Sequence, residues 1–286
     1  MISYRHHVVS LVAVFLALAV GVTLGGGPLS ELGRGNEPTA KAGAKQHDTG
    51  RAASYADAFA KASAKTLYAD RLRDHDVSVV TLPGADRKVV SALNAQVEAA
   101  GGTVAGVYDV QAPLVDASEK SLVDTLGSQL MTQLGNAVSA DASTYDRLGQ
   151  LLGLAVGATD LSPEDAVSIR QSLAGAELMN SPGEADRTSL VLVVLGDHVD
   201  DAILAGLMSG LAAKARRVVV AGDAASGAKG DLEALRSEPA AAKVATVDGT
   251  ESALGQVTAV LALARSLTQQ GGSFGASGSD GTVPLG

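Results

Sequence analysis

Leu190-Val-Leu-Val-Val-Leu195 carries no polar residue at any of its six positions, and its reading decides the fold class. A strand with one wet face alternates apolar and polar side chains, whereas a strand apolar at every position has both faces covered. Such a strand belongs to a parallel sheet whose crossovers place helices on each side. Toward the C-terminus the pattern continues. Residues 199–214 read as a helix aligning Ile203, Leu207 and Leu211, then 217–221 as a strand, 232–238 as a short helix and 243–247 as a strand. A last helix over 250–269 aligns Leu254, Val257, Leu261 and Ala264. The closing GGSFGASGSDGTVPLG, residues 271–286, has the composition of a disordered tail.

Toward the N-terminus, residues 118–179 are mostly helical. Leu122, Leu126, Leu130 and Leu134 share one face, 144–156 forms a second helical segment, and Ser162-Pro163-Glu164-Asp165 opens a third. That tetrapeptide joins a capping serine, a proline in the first turn and an acid three residues after the cap. Before it, Val77-Ser-Val-Val-Thr-Leu82 is a β-branched run ended by Pro83-Gly84. Asp86 caps a helix bearing Val89, Leu93 and Val97, Gly101-Gly102 closes that helix, and 103–110 is a second strand. Residues 74–270 are therefore expected to form an α/β domain, a mainly parallel sheet with helices on both faces. No repeat of fixed period is visible.

Ahead of this domain lies VVSLVAVFLALAVGVTLGGG, residues 8–27, without a charge. As a helix its twenty positions reach about 30 Å, the thickness of a bilayer's hydrocarbon core. Eleven of them are Val, Leu or Phe, and together they favour insertion by roughly 3–7 kcal/mol. A soluble core helix seldom runs so long without a charge. A cleaved signal peptide remains the alternative, but Ala17-Leu18-Ala19 lies inside the apolar run and residues 21–27 offer only a diffuse cleavage site. The preferred reading is one uncleaved transmembrane helix stopped by Pro28. Arg5, the amino terminus and in part His6 and His7 precede it, and the first charge after it is Glu31. The positive-inside rule then keeps residues 1–7 in the cytoplasm and carries the rest of the chain across. Residues 28–73 read as an exposed linker (29–50), followed by a weakly amphipathic helix (52–73) with Tyr55, Phe59 and Leu67 on one side, a stalk or partner-binding element.

Composition narrows the function. Apolar residues make up 46% of the 286, enough for a core, while aromatics are 3% with no Trp, so Ala, Val and Leu must build it. A formal charge of −9 provides no basic excess to neutralise phosphates, so nucleic acid is not an expected partner. With no cysteine there can be no disulfide, thiolate metal site or cysteine nucleophile.

Ligands of open parallel sheets sit outside the carboxyl ends of the strands. Three such ends are polar here: Pro83-Gly84-Ala85-Asp86, Gly196-Asp197-His198 and Gly222-Asp223. Asp197, His198 and Asp223 would converge if their strands are neighbours, and an imidazole with carboxylates suits a borderline divalent metal ion such as Cu(II) or Zn. The competing reading is strong: Asp197 and Asp223 are well explained as loop or N-cap residues, and a lone histidine at a strand end is usually just solvated. Gly222-Asp-Ala-Ala-Ser-Gly-Ala-Lys229 looks like a phosphate loop, but Ala228 separates the lysine from the second glycine and Gly230 stands where Ser or Thr is needed. It reads as a flexible strand-to-helix loop. Met131, Met179 and Met208 lie far apart, so no thioether site for Cu(I) is apparent. No nucleophile elbow or dinucleotide fingerprint occurs, and the expectation is a protein that is not an enzyme.

Residues 1–25, with Arg5, His7, Ser10 and the run Ala13-Val-Phe-Leu-Ala-Leu-Ala-Val-Gly21, resemble the opening of the actinobacterial copper transporter family of the mycobacterial copper transport protein B (MctB) type. Val79-Val-Thr-Leu-Pro-Gly-Ala85 and Ala100-Gly-Gly-Thr-Val-Ala-Gly106 look like that family's first strand and its helix–strand turn. The resemblance implies a cell-envelope protein of copper homeostasis, taking part in copper efflux as a pore-forming or pore-associated component, with the copper ion as transported or bound species. It also implies an outer-membrane association. It supplies no ligand residues. One helix cannot enclose a channel, so transport would require a homo-oligomer or other envelope proteins alongside the lipid bilayer. The family's longer coiled coil after the anchor is replaced here by the Gly-rich linker. The competing expectation is an anchored interaction or structural module with no direct metal transport.

Overall fold

The computed structural model describes residues 39–157, 161–183 and 185–285. The apolar stretch 8–27 lies outside them; among the described residues no helix is long and apolar enough to cross a membrane. The chain divides into two compact units, residues 1–55 and 56–286.

The described chain opens with α1 (Thr39–Tyr68), which begins eleven residues before the end of the stretch read as an exposed linker. The Ala and Lys residues there are strong helix formers and outweigh Gly43 and Gly50. In order there follow β1 (Asp76–Thr81), α2 (Arg87–Ala99), β2 (Thr103–Val110), α3 (Ala112–Val115), α4 (Lys120–Leu134), α5 (Thr144–Val156) and α6 (Pro163–Gly175). Next come β3 (Met179–Asn180), β4 (Leu190–Val194), α7 (Asp201–Lys214), β5 (Arg217–Ala221), α8 (Ala224–Lys229), α9 (Asp231–Arg236), β6 (Ala245–Val247), α10 (Ala253–Ser266) and β7 (Ser273–Phe274).

The strands form one seven-stranded sheet in the order β3-β2-β1-β4-β5-β6-β7. All neighbours pair in parallel except β2 and β3. Its interior strand β4 is buried at every position, as its uninterrupted apolar run requires. Val191, Val193 and Leu195 join Val80, Tyr108, Val218 and Val220 on one face, under Leu130, Leu148, Leu151, Ile169 and Leu207. Leu190, Leu192 and Val194 join Val77, Val79, Val219 and Val247 on the other, under Leu93, Val97, Val257 and Leu261. The expected two-faced α/β body is thus present.

Helix starts follow local chemistry. Asp86 accepts the Lys88 amide at 2.7 Å and Asp200 that of Ala202 at 3.0 Å. At α6 the Ser162 hydroxyl oxygen accepts the Asp165 amide at 3.1 Å. On α1 the side buried within the second unit carries Ala60, Ala64 and Tyr68, while Tyr55 and Phe59 are exposed. Leu67, expected on the same side as Tyr55 and Phe59, packs partly against the core.

Helices α5 and α7 approach closely through glycine. A β-carbon on Gly210 would lie 2.0 Å from the Asp146 carbonyl oxygen, and one on Gly149 2.2 Å from that of Leu207. No side chain fits between these backbones.

Two loops are more ordered than their composition suggests. The Gly222–Lys229 stretch, read as flexible, holds α8, whose start is fixed by Asp223 accepting the Ser226 amide at 2.7 Å. Residues 271–285, read as a disordered tail, supply the edge strand β7 and bury Phe274. The physical reason lies upstream. Buried Asp248 pairs with Arg236 at 3.0 Å and accepts the amides of Ala276 at 2.6 Å and Ser277 at 3.1 Å. Arg236 also donates to the Phe274 carbonyl at 2.8 Å. The Arg265 guanidinium lies 5.1 Å from the centre of the Phe274 ring, within cation–π range.

Candidate functional site

The strand order changes direction at β1, which has β2 on one side and β4 on the other. Their carboxyl ends bound the crevice where this fold class binds ligands. The loop after β1 needs glycine at position 84, where φ is +79°. A β-carbon there would also sit 2.2 Å from the side-chain carboxyl carbon of Asp197. The crevice between β1 and β4 is consequently closed by Asp197, whose amide donates to the Pro83 carbonyl at 2.7 Å.

Beside that closure are two hollows. A cavity of about 170 Å³ is bordered by Asp86, Asp223, Ser226, Thr250 and Glu251 at the ends of β4, β5 and β6. Two of the amide groups starting α8 are already taken, Ser226 by Asp223 and Ala224 by Glu251 at 3.2 Å, so carboxylates stand where a phosphate would bind. A larger cavity of about 660 Å³ lies over the ends of β1 and β2, with Arg87, Ser91, Asn94, Asp109, Gln111 and Asn180 among its lining. The Thr81 hydroxyl donates to the Asp109 carboxylate there at 2.6 Å.

The three residues proposed from sequence as metal ligands take separate partners. The strands bearing them are neighbours, as convergence demanded, since β4 pairs with β5. Yet Asp197 packs on Gly84, Asp223 caps α8, and His198 turns to Asp231. Among the described residues no group of three His, Cys, Asp or Glu side chains could hold a metal ion. For Asp223 the reason is local: an aspartate just before a helix satisfies that helix's free amides sooner than it reaches across a loop.

His198 and Asp231 form the one histidine–carboxylate pair among the described residues, with Nδ1 and Oδ1 2.5 Å apart. The His198 side chain is 77% exposed, whereas that of Asp231 is 7% exposed. The second Asp231 oxygen accepts the Val199 amide at 2.9 Å. The hydrogen bond to Asp231, followed by its negative charge, raises the His198 pKa above 6.5, and Asp201 and Asp200 add to the shift. Asp231 was not foreseeable from sequence. It stands thirty-three residues away from His198, and only the packing of α9 beside the β4–α7 loop brings it there.

The sequence model described as "Copper transport outer membrane protein, MctB" matches residues 1–285. Proteins called copper transporter MctB, from Mycobacterium bovis and from two strains of Mycobacterium tuberculosis, are 29% identical to the chain, over 92% of its length and 92% of theirs.

Proposed function

Because the chain belongs to the MctB family of copper transport proteins, with the role in copper homeostasis which that membership implies, we propose that it takes part in copper efflux as a membrane-anchored, non-enzymatic envelope component. The observation that carries this reading is the extent of the match. It runs from residue 1 through the apolar stretch 8–27 and across the whole α/β body, so anchor and body belong to one family plan. In this reading residues 8–27 hold the chain in the bilayer and the body stands on the extracytoplasmic side.

The described sheet is open, with β3 and β7 as its edges and helices on both faces. Its interior is filled by side chains, so no passage for an ion runs through it. Copper movement would then depend on several copies or on a further envelope protein supplying the pore, with this body docking, positioning or loading it.

The test is a strain lacking the gene, exposed to copper with and without the chain restored. Efflux predicts higher cell-associated copper and lower tolerance without it, both reversed on restoration. Equal copper content in the two strains removes the proposal. A second reading, an interaction module with no part in metal movement, is favoured by Phe59, an aromatic side chain 60% exposed on α1. It predicts unchanged copper content together with loss of a co-purifying envelope protein on Phe59→Ser.

A further inference from the structure

We infer that His198, oriented by the buried Asp231, presents its Nε2 as a copper(II) ligand, an open site suited to passing the ion on rather than storing it. This rests on the copper reading above and locates one point where the chain would meet its cargo. Asp231 is held on both oxygens, Oδ2 by the Val199 amide at 2.9 Å and Oδ1 against His198 Nδ1 at 2.5 Å. A carboxylate in that place demands the proton on Nδ1. In the neutral ring the lone pair is then on Nε2, and the side chain that carries it is 77% exposed. A carboxylate behind the imidazole fixes tautomer and ring orientation and raises ligand basicity, the arrangement found around metal-binding histidines.

The surroundings favour a cation. Asp197, Asp200 and Asp201 flank His198 in sequence, in a chain of net charge −9, and such a field raises the local concentration of positive ions. Imidazole suits copper, and the absence of cysteine leaves no thiolate to select Cu(I). Because the described residues offer no three-ligand cluster, the other coordination positions fall to water or to the molecule that delivers or receives the ion. His75 makes no comparable carboxylate pair among the described residues, so it serves as the internal control.

The experiment uses the full chain in detergent micelles, with histidine rings isotopically labelled and Cu(II) added below one equivalent. Paramagnetic broadening should erase the His198 ring signals well before those of His75. His198→Gln should remove that uptake, and Asp231→Asn, which keeps the imidazole but loses its anchor, should weaken it by about 10–100-fold. The wild-type broadening needs no variant, so it decides the matter even if Asp231→Asn fails to fold. Signals of His198 and His75 fading together, or undiminished copper affinity in folded Asp231→Asn, overturns the site. Failure here leaves efflux to ligands elsewhere in the chain, whereas a deletion strain with normal copper content removes efflux and leaves this titration standing.

Discussion

Arg236→Ala would strand Asp248 without its counter-charge in a buried position, and removing one member of such a pair destabilises a fold by roughly 3 kcal/mol. Urea unfolding of the variant should show that loss as a lower midpoint. Asp248 also sets an acid limit. Burial pushes its carboxyl up, but hydrogen bonds from Ser277, Arg236 and Ala276 outweigh burial and leave its pKa below the usual 3.8. A lowered folded-state pKa stabilises fully above the unfolded value and is lost as the pH falls through the folded one. Wild-type stability should therefore decline below about pH 4 by more than that of Asp248→Asn, measured as urea midpoints across the acid range. His198 has the opposite sign. Its raised pKa contributes stability below 6.5 that disappears as the pH climbs through the folded value. In the metal-free chain its ring signals should titrate with a midpoint above 6.5, and Asp231→Asn should bring that midpoint back down. At this scale the sequence reveals what is local. Asp86 and Ser162 are readable as caps because their partners lie two and three residues away. Asp231 and Asp248 are not, because their partners come from other elements.

Among the elements, the α5–α7 seam is the most exacting. Gly149 and Gly153 on α5, and Gly206 and Gly210 on α7, recur at intervals of four and so lie along one side of each helix. Backbone meets backbone there, and a methyl group at 210 would collide with the Asp146 carbonyl. Gly210→Ala should cost about 1–3 kcal/mol despite alanine's better helix propensity, and Gly210→Val more. Gly175→Ala, at a position where a β-carbon meets nothing, is the control and should be neutral or slightly stabilising, both read from thermal midpoints. The spacing of these glycines is visible in the sequence; that the two rows face one another is not. Strands show the same division. An unbroken apolar run identifies β4, but the two-residue β7 sits in a glycine-rich context whose composition signals disorder. Its order comes from the Asp248–Arg236 pair and from pairing with β6, neither of which is local.

For the whole molecule, the family reading predicts a chain fixed in a membrane with its α/β body outside the cytoplasm. A reporter that functions only outside the cytoplasm, fused after Gly286, should be active, and one confined to cytoplasmic function silent; the reverse pattern overturns the topology. The architecture is legible in the sequence because hydrophobic periodicity reports which faces are covered. The candidate site was accessible only in part. Strand ends identify where ligands gather in this fold class, but which side chains remain free there depends on how caps and loops use them, as Asp197 and Asp223 illustrate.

The placement of β7 has a consequence for biosynthesis. It is the last of the seven strands to be translated, yet Arg236, Asp248 and the rim of β6 wait for it. Until it arrives, the nascent body has an unpaired parallel edge, the kind of surface that recruits another chain. A product ending near residue 270 should therefore aggregate or be degraded, so that accumulation of folded, protease-resistant protein reports completed synthesis of the segment carrying β7.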